Sequence, residues 1–163
     1  MDILTAGIND IEELAAVEIE SKQQSLAEVI EPFEIDHDSR LYRWRTYFRA
    51  ESPQTSKPER VVFKAVLEGK LIGYIAGHLT TRYNKDAEIQ SFYVLKQHQR
   101  KGIGKLLLSK FTEWLETRQA KSLCVGIAEN NLYKAFYLKH GGQFLNEHWI
   151  VWDDIKHIDK ALL

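Results

Sequence analysis

Residues 99–105 read Gln-Arg-Lys-Gly-Ile-Gly-Lys, and these residue types at this spacing suit the binding of a phosphorylated ligand. Glycine allows backbone conformations and close approaches that a side chain would block. Where such a turn opens a helix, the first amides lack intrahelical acceptors, point outward and sit at the positive end of the helix dipole. Arg100, Lys101 and Lys105 add cations around those amides, and a pyrophosphate is the natural guest. The same composition also describes a glycine-containing turn on a solvated basic surface, so the flanking elements must decide between the two. Two other phosphate loops are excluded by spacing. A P-loop has four residues between its first glycine and Gly-Lys-Ser/Thr, whereas only Ile103 separates Gly102 from Gly104. A dinucleotide fingerprint has a third glycine at the position that Leu107 occupies here.

The elements around the turn are legible from periodicity. Residues 87–95 (AEIQSFYVL) form an apolar run that predicts a central buried strand. Apolar positions 103, 106, 107, 111, 114 and 115 keep a helical period, and residues 122–128 are again strand-like. Strand, helix and strand of these lengths imply a right-handed parallel crossover. Before it, residues 61–67 and 71–80 predict a β-hairpin closed by Glu68, Gly69 and Lys70. Residues 2–6 predict a first strand, and Asn9 with Glu12 suggests a capping box for the helix that follows. A second helix is predicted over 39–50 from Leu41, Trp44 and Phe48, and residues 51–58 (ESPQTSKP) predict an exposed loop. After residue 128, Asn130 opens one more helix, Gly141 and Gly142 close it, and 143–151 supply two short strands.

Composition narrows the class. The 163 residues fit one domain, and 44% apolar with 28% charged residues is the balance of a soluble globular protein with no membrane-spanning run. Met1 leads into an acidic start without the basic flank and apolar region of a secretory leader, so the cytoplasm is the expected location. A formal charge of -1 gives no global attraction to nucleic acid or to an anionic membrane. One cysteine, Cys124, excludes an internal disulfide, and with no basic partner near it in sequence it reads as a small buried hydrophobe rather than a nucleophile. The six histidines form no paired ligand motif, so no metal is expected. Trp44, Trp149 and Trp152 could frame a pocket but read as packing residues, since aromatic side chains on helices and strands mostly build the core.

Gln99-x-x-Gly102-x-Gly104 after a central strand resembles the signature of the GNAT superfamily of N-acetyltransferases, Q/R-x-x-G-x-G/A. A second segment, Asn130-x-x-Tyr133-x-x-Phe136-Tyr137 followed by Gly141-Gly142, is similar to the family's N-x-x-A-x-x-F-Y helix, with Tyr133 in place of the usual alanine. The resemblance implies an α/β fold: one GNAT-like domain over residues 1–163, with a mixed, centrally splayed sheet flanked by helices. Residues 1–60 would supply acceptor-side elements and residues 87–142 the acetyl-CoA-binding core.

The resemblance also implies site residues. Phe92, Tyr93 and Val94 would lie along the acetyl and pantetheine portions of acetyl-CoA, with the amide near Val94 stabilising the thioester oxygen. Gln99, Arg100, Lys101, Gly102, Ile103, Gly104 and Lys105 would bind the pyrophosphate, and the small residues Gly126 and Ala128 would leave room for the pantetheine arm. Asn130 would bond the cofactor, although it can equally cap the helix that it opens. Glu88 would receive the amine proton through water, its alternative being a surface salt bridge, and Tyr137 would protonate the CoA thiolate, its alternative being a packed core tyrosine. The implied activity is acetyl transfer from acetyl-CoA to a primary amine by direct attack, with a small amine or amino-acid derivative as acceptor. A peptide N-terminus or lysine is the alternative acceptor, and a non-catalytic CoA-binding module the alternative of another class.

Overall fold

Glu68 and Gly69 both take positive φ (51° and 76°), which is the two-residue turn whose twist suits a hairpin. It joins β2 (Arg60–Leu67) to β3 (Lys70–Leu79). The computed structural model describes residues 1–26, 36–49, 58–128, 131 and 133–159, and positions 51–57 of the predicted loop and Asn130 lie outside them. β1 (Asp2–Thr5) pairs antiparallel with β2, and β4 (Ala87–Val94) pairs antiparallel with β3. β5 (Leu123–Gly126) lies parallel to β4 and is followed across the sheet by β7 (Trp149–Trp152) and β6 (Gln143–Asn146). The seven strands form one sheet in the order β1-β2-β3-β4-β5-β7-β6. Its one parallel pair is the one joined through α3 (Ile103–Thr117), because parallel neighbours need a crossover of that length.

Each face of the sheet buries its own core. On one face α3 sets Leu107, Leu108, Phe111 and Leu115 against Ile72, Ile75, Ala87 and Ile89. Burying each of those large side chains contributes about 1.5–3 kcal/mol relative to exposure. The buried stripe keeps the predicted positions 103, 107, 111 and 115 and adds Leu108, while Leu106 and Trp114 sit at its margins. On the other face α1 (Ile11–Leu26) and α2 (His37–Phe48) pack Leu14, Val17, Leu41 and Trp44 against Val62, Tyr74 and Ala76. The brace at the start of α1 differs from the predicted capping box: the Gly7 N–H donates to Asp10 Oδ2 at 2.8 Å, two residues earlier than Asn9 and Glu12. Helix α2 begins at His37, where the Asp36 side chain accepts from the Asp38 N–H. The last helix, α4, is Lys134–Lys139. No helix among the described residues is long and apolar enough to cross a membrane.

Two irregularities of β4 position the site. Pairing with β5 ends at Ile89 opposite Val125, although β4 continues to Val94, so the two strands part over the last residues of β4. The register with β3 also slips between Ala76 opposite Ser91 and Gly77 opposite Ile89, which leaves Gln90 as an extra, bulged residue. A bulge reverses the alternation of side chains. Ala87 and Ile89 therefore face α3 with Phe92 and Val94, while Glu88, Ser91 and Tyr93 face α1 and α2.

Candidate active site

The Leu95 N–H donates to the Ile72 carbonyl of β3 at 2.9 Å. Because main-chain groups alternate between the two edges of a strand, those of Val94 and Phe92 point the other way, into the gap left by β5. Tyr93, opposite Tyr74, turns its main chain to β3 and its ring towards α1, where the Lys22 ammonium stands 5.9 Å from the ring centroid. Of the three strand residues singled out in the sequence, Phe92 and Val94 thus offer backbone to the gap, and Tyr93 offers a side chain on the opposite face.

The turn after β4 supplies the cradle. Arg100 (φ 63°) and Gly102 (φ 82°) both take left-handed backbone, which folds the chain sharply into the first turn of α3. The first intrahelical bond runs from the Leu106 N–H to the Gly102 carbonyl, and Gly102 makes no side-chain cap. The amides of Ile103, Gly104 and Lys105 are therefore unpaired within the helix. A Cβ at Gly102 would meet nothing within 4 Å, so the turn is open beside Gly102. Gly104 has a different reason: a Cβ there would come within 3.1 Å of the Phe136 ring, so its absence lets α4 close on α3. The side chain of Ile103 is buried in the core. Arg100 and Lys105 form no ion pair among the described residues, whereas the Lys101 ammonium donates to the Gln97 carbonyl at 3.0 Å. The Gln99 amide donates to the Val94 carbonyl at 2.8 Å and reaches Tyr133 Oη at 3.4 Å, so this side chain ties the turn to the strand end. The free amides, the open turn and the edge groups of Phe92 and Val94 that β5 leaves unpaired, apart from the Val94 carbonyl taken by Gln99, fit an extended thioester whose arm leads to a pyrophosphate.

On the α1–α2 face, beside the parted end of β4, lies a cleft of about 370 Å³. Glu18 and Lys22 of α1 and Arg40, Arg43, Trp44 and Tyr47 of α2 form one side, and Gln90, Ser91 and Tyr93 of β4 form the other. The buried Glu18 carboxylate accepts from the Trp44 indole N–H at 3.2 Å and pairs with Lys22 at 3.0 Å and Arg40 at 3.3 Å. Ser91 Oγ is held at 2.6 Å by the Tyr74 hydroxyl. Burial, with the Glu18 charge a lesser cause, pushes the Tyr93 phenol up to about 12. A smaller hollow of about 240 Å³ lies at Glu116–Lys121 and Asp154–Lys156, away from the parted strands.

Glu88 is buried and does not line the cleft. Its Oε2 lies 3.3 Å from His78 Nε2 and 3.3 Å from Arg82 Nε, and His78 Nδ1 lies 3.1 Å from the Tyr47 hydroxyl. A carboxylate only accepts, so Nε2 carries the hydrogen; in the neutral ring Nδ1 then accepts, and the Tyr47 hydroxyl donates to it. Tyr47 lines the cleft. Burial, opposed by Arg60 and aided by Glu88, holds its phenol above the ordinary range. Glu88 thus reaches the cleft through two hydrogen bonds, and neither His78 nor Tyr47 is singled out by any sequence motif. The signal that could have found His78 is the period of two in β3, which puts it on one face with Tyr74 and Ala76.

Tyr137 lies on the other face, packed against Phe92, Phe136 and Trp152 with ring centroids 6.4, 5.7 and 5.9 Å away. Its hydroxyl has no hydrogen-bond partner among the described residues, and burial, with Tyr93 a lesser cause, raises the phenol well above its ordinary value. Cys124 is buried with its thiol 3.6 Å from the Ala87 carbonyl, and burial, with Glu88 second, pushes it up to about 12, which leaves a thiol rather than a thiolate. Gly126, expected to leave space for the cofactor arm, instead underlies the Trp149 ring, 3.4 Å from where a Cβ would stand. Of the other aromatics, Trp152 donates to the His140 carbonyl at 2.9 Å within the core, Tyr83 packs on Trp149 and Tyr42 is exposed. Among the described residues no group of three or more His, Cys, Asp or Glu is placed to hold a metal ion.

This arrangement coincides with similarity to known proteins. The model of the acetyltransferase (GNAT) family matches residues 18–142, from Glu18 in the cleft to the end of the second motif. The uncharacterized N-acetyltransferase YuaI of Bacillus subtilis (strain 168) is 30% identical over 135 residues, covering 81% of this chain and 74% of that protein. Among solved structures, the PaiA N-acetyltransferase from Thermoplasma acidophilum, in complex with coenzyme A, superposes with a TM-score of 0.71 at 22% identity, over 93% of this chain and 98% of that one. An acetyltransferase from Thermus thermophilus superposes with a TM-score of 0.73 at 20% identity, over 93% and 95% of the two chains.

Proposed function

The chain belongs to the acetyltransferase (GNAT) family and is an acetyl-CoA-dependent N-acetyltransferase, and we propose that its acceptor is a small primary amine that attacks the thioester directly from the cleft beside β4. The observation that carries this reading is the meeting of the cleft, through Ser91 and Tyr93, with the stretch of β4 whose edge is unpaired. A volume of about 370 Å³ is that of a small-molecule site. In this reading residues 1–60 contribute the acceptor side and residues 87–142 the acetyl-CoA side of one domain.

The roles we assign combine this geometry with the family resemblance. The amides of Ile103, Gly104 and Lys105, with Arg100, hold the pyrophosphate, and the edge groups of Phe92 and Val94 hold the pantetheine and thioester. One of those edge amides donates to the thioester oxygen as negative charge develops there; being fixed, it needs little reorganisation. The amine nitrogen forms the new bond to the carbonyl carbon as the carbon–sulfur bond breaks. One proton leaves the amine, and one must reach the departing sulfur. We assign the first to Glu88, reached through the Tyr47 hydroxyl and His78, and the second to the Tyr137 hydroxyl, which stays protonated at neutral pH. Products are the N-acetyl amine and free CoA thiol. The test is a screen of small amines, peptides and proteins that follows thiol release from acetyl-CoA and locates the acetyl group by mass spectrometry. Release with small primary amines is expected, and acetylation confined to peptides or proteins overturns the acceptor class.

A further inference from the structure

We infer that the acceptor carries an anionic group, a carboxylate or phosphate, in addition to its reacting amine; this rests on the acetyl-transfer reading above and narrows its substrate. The chain as a whole is slightly acidic, yet among the described residues the cleft is lined by Lys22, Arg40 and Arg43 against the one carboxylate of Glu18. That carboxylate is already engaged by Trp44, Lys22 and Arg40. Arg43, one residue before Trp44 on α2, opens into the same cleft, is exposed, and pairs with no side chain among the described residues. A guanidinium in that state offers a planar pair of donors that matches a carboxylate or phosphate.

The same charges bear on the amine. Nearby cations disfavour a protonated ammonium, so this lining helps deliver the neutral nucleophile, and it disfavours acceptors with several ammonium groups. The polar walls then divide the work: β4, at Ser91 and Tyr93, borders the parted strands where the amine must react, and α2 presents Arg43 to the far end of the acceptor. An acceptor bridging the two has its amine and its acid at opposite ends or separated by a short spacer.

The experiment uses the full chain and matched acceptors sharing one alkyl amine: α- and ω-amino acids and an aminoalkyl phosphate, the corresponding amino amides, and the α,ω-diamines of equal length. Expected is a kcat/KM for the best acidic acceptor at least roughly tenfold above its amide and diamine counterparts. Arg43→Gln should erase most of that preference by raising KM for the acid far more than for the amide, with the acetyl-CoA KM unchanged, and Arg43→Lys should restore part of it. An amide or diamine turned over as well as the acid overturns the inference. So does a preference that survives Arg43→Gln, or an equal rise in the acetyl-CoA KM, which would assign Arg43 to the cofactor. An enzyme stabilised by acetyl-CoA that acetylates none of the acidic amines also overturns it. Absence of both acetyl-CoA stabilisation and thiol release with every amine strikes instead the function proposed above.

Discussion

On the side of β4 that we assign to the cofactor, a nearly continuous run from Phe92 to Lys105 supplies the strand edge and the turn, and it does so chiefly with backbone amides. On the side that we assign to the acceptor, Glu18, Arg40, Arg43, Tyr47, His78 and Glu88 come from α1, α2, β3 and β4, and they would act through side chains. A backbone site is set by local conformation, so it needs few residue types and tolerates change in the side chains around it. A side-chain site assembled from four elements depends on how those elements pack, and each of its members can be exchanged singly. The family signature accordingly sits on the first side, and the identity of the acceptor on the second.

The sharpest way to break the first side is Gly102→Asp. At a concentration one hundred times its dissociation constant, a ligand bound only by the folded state stabilises it by about 2.7 kcal/mol. The variant places a side chain and a negative charge at the free amides, so thermal unfolding with and without acetyl-CoA should show this gain almost entirely lost, on an unliganded midpoint lowered by the roughly 1–2 kcal/mol that a side chain costs at the left-handed φ of 82°. An equal gain in both proteins would remove the turn from the site.

Tyr137→Phe keeps the ring packing against Phe92 and Trp152 and removes only the hydroxyl. Turnover should fall on the order of 100-fold with acetyl-CoA affinity nearly unchanged. A parent-like rate, with transfer shown to be the slow step, would return Tyr137 to a packing role.

His78→Gln and Glu88→Gln sharpen the comparison from the acceptor side. Each should lower transfer by roughly tenfold or more and displace the rising limb of the pH–rate profile, and the double variant should lose little beyond the worse single one, because a relay fails as a unit. Additive losses would mean that the two residues act separately.

The smallest effect concerns the support behind the cradle. His140, at the end of α4, is buried with no partner for Nδ1 among the described residues, and burial first, then Lys105 and Lys139, lowers its pKa below the ordinary 6.5. The folded state therefore binds this proton less readily than the unfolded chain, so its contribution to stability is present above pH 6.5 and declines as pH falls through the lowered value. Thermal midpoints measured from neutral to acidic pH should fall less steeply in His140→Gln than in the parent. Identical slopes would show that His140 does not govern this decline.

Much of the architecture was legible because periodicity and turn chemistry are local. The bounds of α3 and the turn at Glu68 and Gly69 follow from apolar spacing and from one glycine at positive φ. Residues 99–105 pointed to a sharp turn with free helix amides for the same reason, since neighbours in sequence remain neighbours in a turn. The division of labour inside that run was not legible: Gln99 reads like its neighbours in the chain, yet it bonds the end of β4.

What the sequence by itself determined is the order of the elements, the free amides at the head of α3 and the family. What the tertiary structure decided is which side chains meet. The extra residue at Gln90 leaves Glu88 on the α2 face with Ser91 and Tyr93 and turns Phe92 towards Tyr137, where uninterrupted alternation would put Glu88 and Phe92 together. No local pattern encodes that slip, because a register is fixed only when the facing strand and the two cores on either side of the sheet are in place. Glu88 acquires its link to the cleft in the same way, through His78 across the strand pair and Tyr47 on a helix packed above it, since hydrogen bonds between distant segments exist only once packing has brought them within reach.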